Sequence, residues 1–143
     1  MINDIVKGIV KAIRDEFGEN YNIHIEEVKQ GLKEPCFFIS VLNPKYEQVL
    51  GKRYIISCNC MIQYITEGGR EECNNVAERL FDCLELIIVS GDIVRGTDMS
   101  FEVVDGILNF NVSYKIYVYK NIVDEINMEE LKQIREVWNG WRY

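Results

Sequence analysis

The chain has 143 residues, 48% of them hydrophobic and 27% charged, with 11% aromatics and only two prolines. That size and composition fit one globular domain with a core of its own and exclude a wholly disordered chain. A net charge of −7 argues against a protein that grips nucleic acid through its phosphates, and the densest basic stretch, Lys52-Arg53, is two residues long.

The first element is read as a helix over Ile2–Phe17. Ile5, Val6, Ile9, Val10, Ile13 and Phe17 recur every three or four residues and make one apolar stripe. Asn3 is the expected cap, Asp4 suits the first turn and Gly18 is the stop. Tyr21–Val28 alternates and reads as a half-buried strand, with His24 on its polar side. A turn over Gln30–Pro35 leads to a second strand, Cys36–Leu42, and Asn43–Lys52 is expected to be a loop opened by Asn43-Pro44 and closed by Gly51.

The longest strand is expected over Arg53–Thr66. Tyr54, Ile56, Cys58, Cys60, Ile62 and Tyr64 share one face, and Ser57, Asn59 and Gln63 the other. Glu67-Gly68-Gly69 ends it, and a second helix is expected from about Glu71 to Val89, striped by Val76, Leu80, Phe81, Leu84 and Ile88. Val104-Asp105-Gly106-Ile107 is a type I′ hairpin signal. It implies that Val103 faces Leu108, Phe101 faces Phe110 and Met99 faces Val112, with Glu102 opposite Asn109 and Ser100 opposite Asn111. The last strand runs to about Lys120. A short helix, about Met128–Trp138, and an aromatic tail ending Trp141-Arg142-Tyr143 close the chain.

The fold class is therefore α+β, in the order αβββαββ, with a mainly antiparallel sheet and two helices packed on one face. Residues 1–126 form one domain, and residues 127–143 add the C-terminal helix and tail.

Chemistry is hard to place on this chain. The five cysteines (Cys36, Cys58, Cys60, Cys73 and Cys83) lack the spacing of a secreted disulfide framework, and with no signal-like or membrane-spanning run they read as reduced thiols of a cytoplasmic protein. Cys58-x-Cys60 puts two thiols on one strand face, but that face is apolar and structural zinc wants four ligands. His24 is the only histidine, and Glu26-Glu27, Glu71-Glu72 and Glu129-Glu130 are adjacent pairs that do not face each other. Gly68-Gly69-Arg70 before a helix lacks the lysine and spacing of a phosphate loop. No catalytic residue, metal ligand or cofactor is assigned.

The remaining features point outward. Ser57, Asn59, Gln63, Ser100, Asn109, Asn111 and Ser113 make a polar but uncharged sheet face, suited to contact with another protein. The interface residues expected are Tyr46, Val49, Leu50, Trp138 and Trp141, with Asn59 and Asn111 behind them.

Over Met1–Lys120 the chain resembles phage tail terminator proteins, also called tail completion or head–tail joining proteins. The resemblance lies in the element order and in the segments Ile2-Asn3-Asp4-Ile5, Glu34-Pro35-Cys36-Phe37-Phe38-Ile39, Tyr54-Ile55-Ile56-Ser57-Cys58 and Asn109-Phe110-Asn111-Val112-Ser113-Tyr114. It implies a structural virion protein, made in the bacterial host cytoplasm, that forms a ring, commonly a hexamer, at the end of the tail tube. The tube protein and the head connector are then its partners. It implies neither membrane nor specific nucleic-acid binding, although DNA passes through such a ring. Rival expectations are a protein-binding adaptor using the aromatic tail, or a small enzyme or metal-binding protein using the cysteines and His24.

Overall fold

The computed structural model describes residues 1–25 and 34–119. The elements are α1 (Ile2–Phe17), β1 (Asn22–His24), β2 (Cys36–Leu50), β3 (Arg53–Ile65), α2 (Gly69–Leu84), β4 (Leu86–Val89), β5 (Asp92–Val104) and β6 (Ile107–Tyr119). The strands form one sheet in the order β1-β2-β3-β6-β5-β4. The β1–β2 pair is parallel, while β4–β5 and β5–β6 are antiparallel. The fold is thus α+β with a mixed sheet, and it contains a strand, β4, that the sequence reading had placed inside the second helix. The expected C-terminal helix lies outside the described residues.

By compactness the chain divides into two units, residues 1–45 with 56–116 and residues 46–55 with 117–143. The first holds both helices and the core. Strand alternation sends Cys58, Cys60, Ile62 and Tyr64 of β3 and Leu108, Phe110, Val112 and Tyr114 of β6 to one face. The α1 stripe of Ile5, Ile9, Ile13 and Phe17 and the α2 stripe of Cys73, Val76, Ala77, Leu80 and Leu84 join the same cluster. Each of these larger apolar side chains contributes about 1.5–3 kcal/mol by leaving water. Phe17, Phe37 and Tyr64 stack at one end, with centroids 5.0 and 4.9 Å apart, and Phe81 meets Phe110 edge-on at 4.9 Å. Arg79 ties the helices together. It donates to the Glu16 carboxylate at 3.0 Å and to the Glu16 carbonyl at 2.8 Å, and its guanidinium lies 4.1 Å from the Phe17 ring centroid.

Helix α2 stops at Leu84, five residues before the expected end. Ile87-Ile88-Val89 is β-branched, and with Leu86 it pairs better as a strand, even though Ile88 falls on the helical stripe. The end is fixed by tertiary bonds. The buried Tyr114 hydroxyl donates to the Leu84 carbonyl at 2.7 Å, and the Gly96 amide donates to the Glu85 carbonyl at 2.7 Å. A Cβ on Gly96 would lie 2.7 Å from that Leu84 oxygen, so only glycine lets β5 approach.

Three other expectations change. Helix α1 begins at Ile2 with Met1 at the cap position and no side-chain cap bond, so Asn3 is inside the first turn. Residues 43–50 continue β2 instead of looping, and Asn43 absorbs the irregularity at φ 48°. The β5–β6 hairpin has the expected register at Val103↔Leu108, Phe101↔Phe110, Glu102↔Asn109 and Ser100↔Asn111, around a turn with Asp105 and Gly106 both at positive φ. The register shifts between Thr97 and Ser100, where Asp98 sits at φ 51°, so the expected Met99–Val112 pairing gives way to a bulge.

Two predictions follow from this packing. Gly8 is buried in α1 where a Cβ would lie 2.6 Å from the Ile88 carbonyl oxygen. Helix propensity alone favours Gly8→Ala by about 1 kcal/mol, but the clash is with backbone, so chemical denaturation should show a net loss of about 1–3 kcal/mol. At the start of α2, Thr66 and Tyr64 each donate a 2.6 Å hydrogen bond to the Glu72 carboxylate, and together they hold its pKa below the usual value. A folded-state pKa lowered in this way adds stability above the unfolded value, and that stability is lost as pH falls through the folded one. Glu72→Gln should therefore cost about 1 kcal/mol at neutral pH, discounted for partial exposure, and the gap from wild type should close below about pH 4.

Candidate functional site

Both helices lie against one face of the sheet, and the other face carries the surfaces open to a partner. On β3 and β6 this face is a ladder of uncharged polar side chains. Gln63 donates to the Asn109 side-chain carbonyl at 2.9 Å, and Ser113 donates to that of Asn59 at 2.6 Å. As the β3 residue number rises by four, the partner's falls by four, so these bonds also show that β3 and β6 run antiparallel. Thr97 of β5 extends the ladder to the Ser113 backbone carbonyl at 3.3 Å. Asn59 is exposed and Asn111 half-buried, which places both residues on the face the sequence assigned them. An open polar hollow of about 470 Å³ lies beside the ladder, lined by Asn43, Lys45, Ser57, Asn59, Ser113 and Lys115 among others.

The same face turns apolar at the β4 edge. Ile88 pairs with Ile93, and Leu86 with Arg95. Leu86, Ile88 and Ile93 are 50%, 56% and 71% exposed, while Ile87, Val89 and Val94 between them are buried. Sequence reading missed this patch because it put Leu86–Val89 in a helix. The signal was there in the alternation of buried and exposed positions along a β-branched run.

In the second unit, Tyr46, Val49 and Leu50 are strongly exposed, as are Tyr117 and Tyr119 of β6. Val49, Arg53, Tyr117, Val118 and Tyr119 line an apolar hollow of about 370 Å³. Lys52 holds its ammonium 5.9 Å from the Tyr119 ring centroid, and Gln48 donates to the Gly51 carbonyl at 2.7 Å across the β2–β3 turn. Tyr46, Val49 and Leu50 thus stand on the end of a strand, not in a loop. Tyr117 and Tyr119 are surface residues that sequence reading left unassigned. Trp138 and Trp141 lie outside the described residues.

The groups considered for chemistry are occupied otherwise. Cys58 and Cys60 are buried with sulfurs 3.8 Å apart; the contact with Cys58 together with burial pushes the Cys60 thiol well up, while the same contact draws the Cys58 thiol down against its burial. Burial also pushes the Cys83 thiol up to about 12. A protonated thiol is a poor nucleophile and a poor metal ligand. His24 is not the exposed strand histidine expected. It pairs with Phe38 across the β1–β2 ladder, its ring lies tilted at 5.0 Å from that of Phe38, and its Nε2 is buried with no hydrogen-bond partner among the described residues. Among the described residues no group of three or more histidine, cysteine, aspartate or glutamate side chains could hold a metal ion, and no helix is long and apolar enough to cross a membrane.

Comparison with known sequences gives the family: the phage tail terminator protein profile matches residues 4–126. The chain belongs to the phage tail terminator family. It is thus a structural protein of the phage tail, with a part in virion assembly. No curated protein matches the sequence. One solved structure aligns with 85% of this chain and 96% of its own at 14% identity, with a TM-score of 0.49.

The buried thiols yield a prediction of their own. Cys60→Ser puts a hydroxyl among apolar neighbours and should cost about 1–3 kcal/mol in urea denaturation. Elemental analysis of the purified wild-type protein should find no stoichiometric zinc, and one zinc per chain lost on that substitution would contradict the packing role.

Proposed function

We propose that this protein closes the phage tail: copies assemble into a ring, a hexamer, that caps the tube and offers its far side to the head connector. The observation that carries this reading is the match to the tail terminator family over residues 4–126, joined to an accessible surface built for contact. The mechanism is geometric. One side of the ring mates with the tube protein as another ring of tube subunits would. The other side lacks that interface, so elongation stops. No bond is made or broken, and no cofactor is required.

Side-by-side copies related by rotation use a heterologous interface, in which two different patches of each subunit meet and the ring closes on itself. Exposed apolar residues within a polar surround suit such a contact. The acidity fits a channel that carries DNA without holding it, since six copies sum to about −42 and repel phosphate.

Native mass spectrometry of the purified chain should show a closed oligomer of fixed size near six times 16.7 kDa. Added to a polymerising tube protein, it should shorten the tubes seen by electron microscopy and cap one end. A chain that stays monomeric at high concentration and leaves tube length unchanged would refute the proposal.

A further inference from the structure

We propose that the β2–β3 turn of one copy docks on the β4 edge of the next, which names the two patches of the ring interface and rests on the ring reading above. The first patch is the strand end of Tyr46, Val49 and Leu50, all more than half exposed. It is the basic part of an acidic protein. Residues 45–53 carry Lys45, Lys52 and Arg53 against Glu47 alone, a net +2 in a chain of −7, which leaves −9 on the rest. The second patch is Leu86, Ile88 and Ile93 on β4 and β5, also at least half exposed.

The charges around this second patch have the complementary sign. Arg95 is already paired with Glu85 at 2.8 Å, and Lys11, in the hollow beside Leu86–Ile88, is paired with Asp15 at 3.0 Å. Asp92, next to Ile93, is exposed and has no ion pair among the described residues. An apolar centre with a basic rim therefore meets an apolar centre beside one uncompensated carboxylate, Asp92. Like patches would repel: two copies meeting turn to turn would oppose lysine to lysine. That disfavours a symmetric dimer and favours head-to-tail addition of a second copy of this chain. The sheet adds a backbone reason. Among the described residues β4 is the last strand in the order, and an edge strand bearing exposed Leu86 and Ile88 calls for cover.

The test uses two variants at positions more than two-thirds exposed, where substitution leaves the fold intact: Leu50→Glu, which spoils the turn patch, and Ile93→Glu, which spoils the edge. Circular dichroism confirms that each is folded. In light scattering after gel filtration each variant alone should be monomeric. An equimolar mixture should give a 1:1 dimer and nothing larger, because one intact turn meets one intact edge. In the charge arm, Lys52→Glu with Arg53→Glu should weaken assembly about tenfold or more, and adding Asp92→Lys should restore part of it.

A wild-type chain that assembles while both single variants assemble equally well, or a mixture that remains monomeric, overturns this interface and leaves the ring reading standing. Variants that keep wild-type assembly but fail to cap tubes would assign the patches to the tube protein, and so overturn it too. A wild-type chain that never assembles removes the ring reading itself and this proposal with it.

Discussion

The structure depends on one asymmetry: both helices bury their stripes on the same face of the sheet. Strand alternation makes this possible. In the middle of β3 and β6 every second side chain is apolar and enters the cluster under α1 and α2, and the intervening ones include Ser57, Asn59, Gln63, Asn109, Asn111 and Ser113, with Met61 among them. With the helices on one side, the opposite face has to be stable in water or be covered by something else. The polar residues there are cross-linked to each other, Gln63 to Asn109 and Ser113 to Asn59, which fixes them without calling on charge. Uncharged side chains fixed in this way cost less to desolvate than lysines and glutamates, and that suits the ladder to a contact.

The close approaches in the core serve the same arrangement. Gly8 lets α1 lie against the backbone of β4, and Gly96 lets β5 pass the end of α2. Tyr114 and Gly96 accept the handover from helix to strand by bonding the carbonyls of Leu84 and Glu85. Without this short transition, Leu86–Val89 would lengthen the helix, and the sheet would have neither its last strand nor the exposed row of Leu86, Ile88 and Ile93. The apolar edge is thus a direct product of how α2 ends.

Much of this was legible in the sequence. The α1 stripe, the two-faced β3 and the Asp105-Gly106 hairpin all carry strong local periodicity or turn chemistry, and in each the structure agrees with the local signal. The errors came where two local signals conflicted. Ile88 satisfied the helical period, while the β-branched run around it satisfied the strand. The long-range bonds from Tyr114 and Gly96 that decide between them cannot be read locally. Asn43-Pro44 signalled a turn, yet β2 runs through both residues, with Asn43 at φ 48°. His24 was assigned to an exposed face because its contact with Phe38 depends on a parallel pairing that no local pattern announces. For the candidate interface, Tyr46, Val49 and Leu50 stood out as apolar residues among charges, whereas the β4 patch vanished with the wrong element, and Tyr117 and Tyr119 looked like ordinary strand residues.

Membership of the tail terminator family makes this a structural protein of the phage tail. The central claim is that its exposed apolar surfaces become covered when copies come together. Amide hydrogen exchange of the wild-type chain, followed by mass spectrometry from dilute to concentrated solution, tests this directly. The account predicts slowed exchange in peptides spanning 46–53 and 86–93 as assembly proceeds, with the amides of α1 and α2 unchanged. Assembly that leaves both segments exchanging as they do in the dilute chain would contradict it.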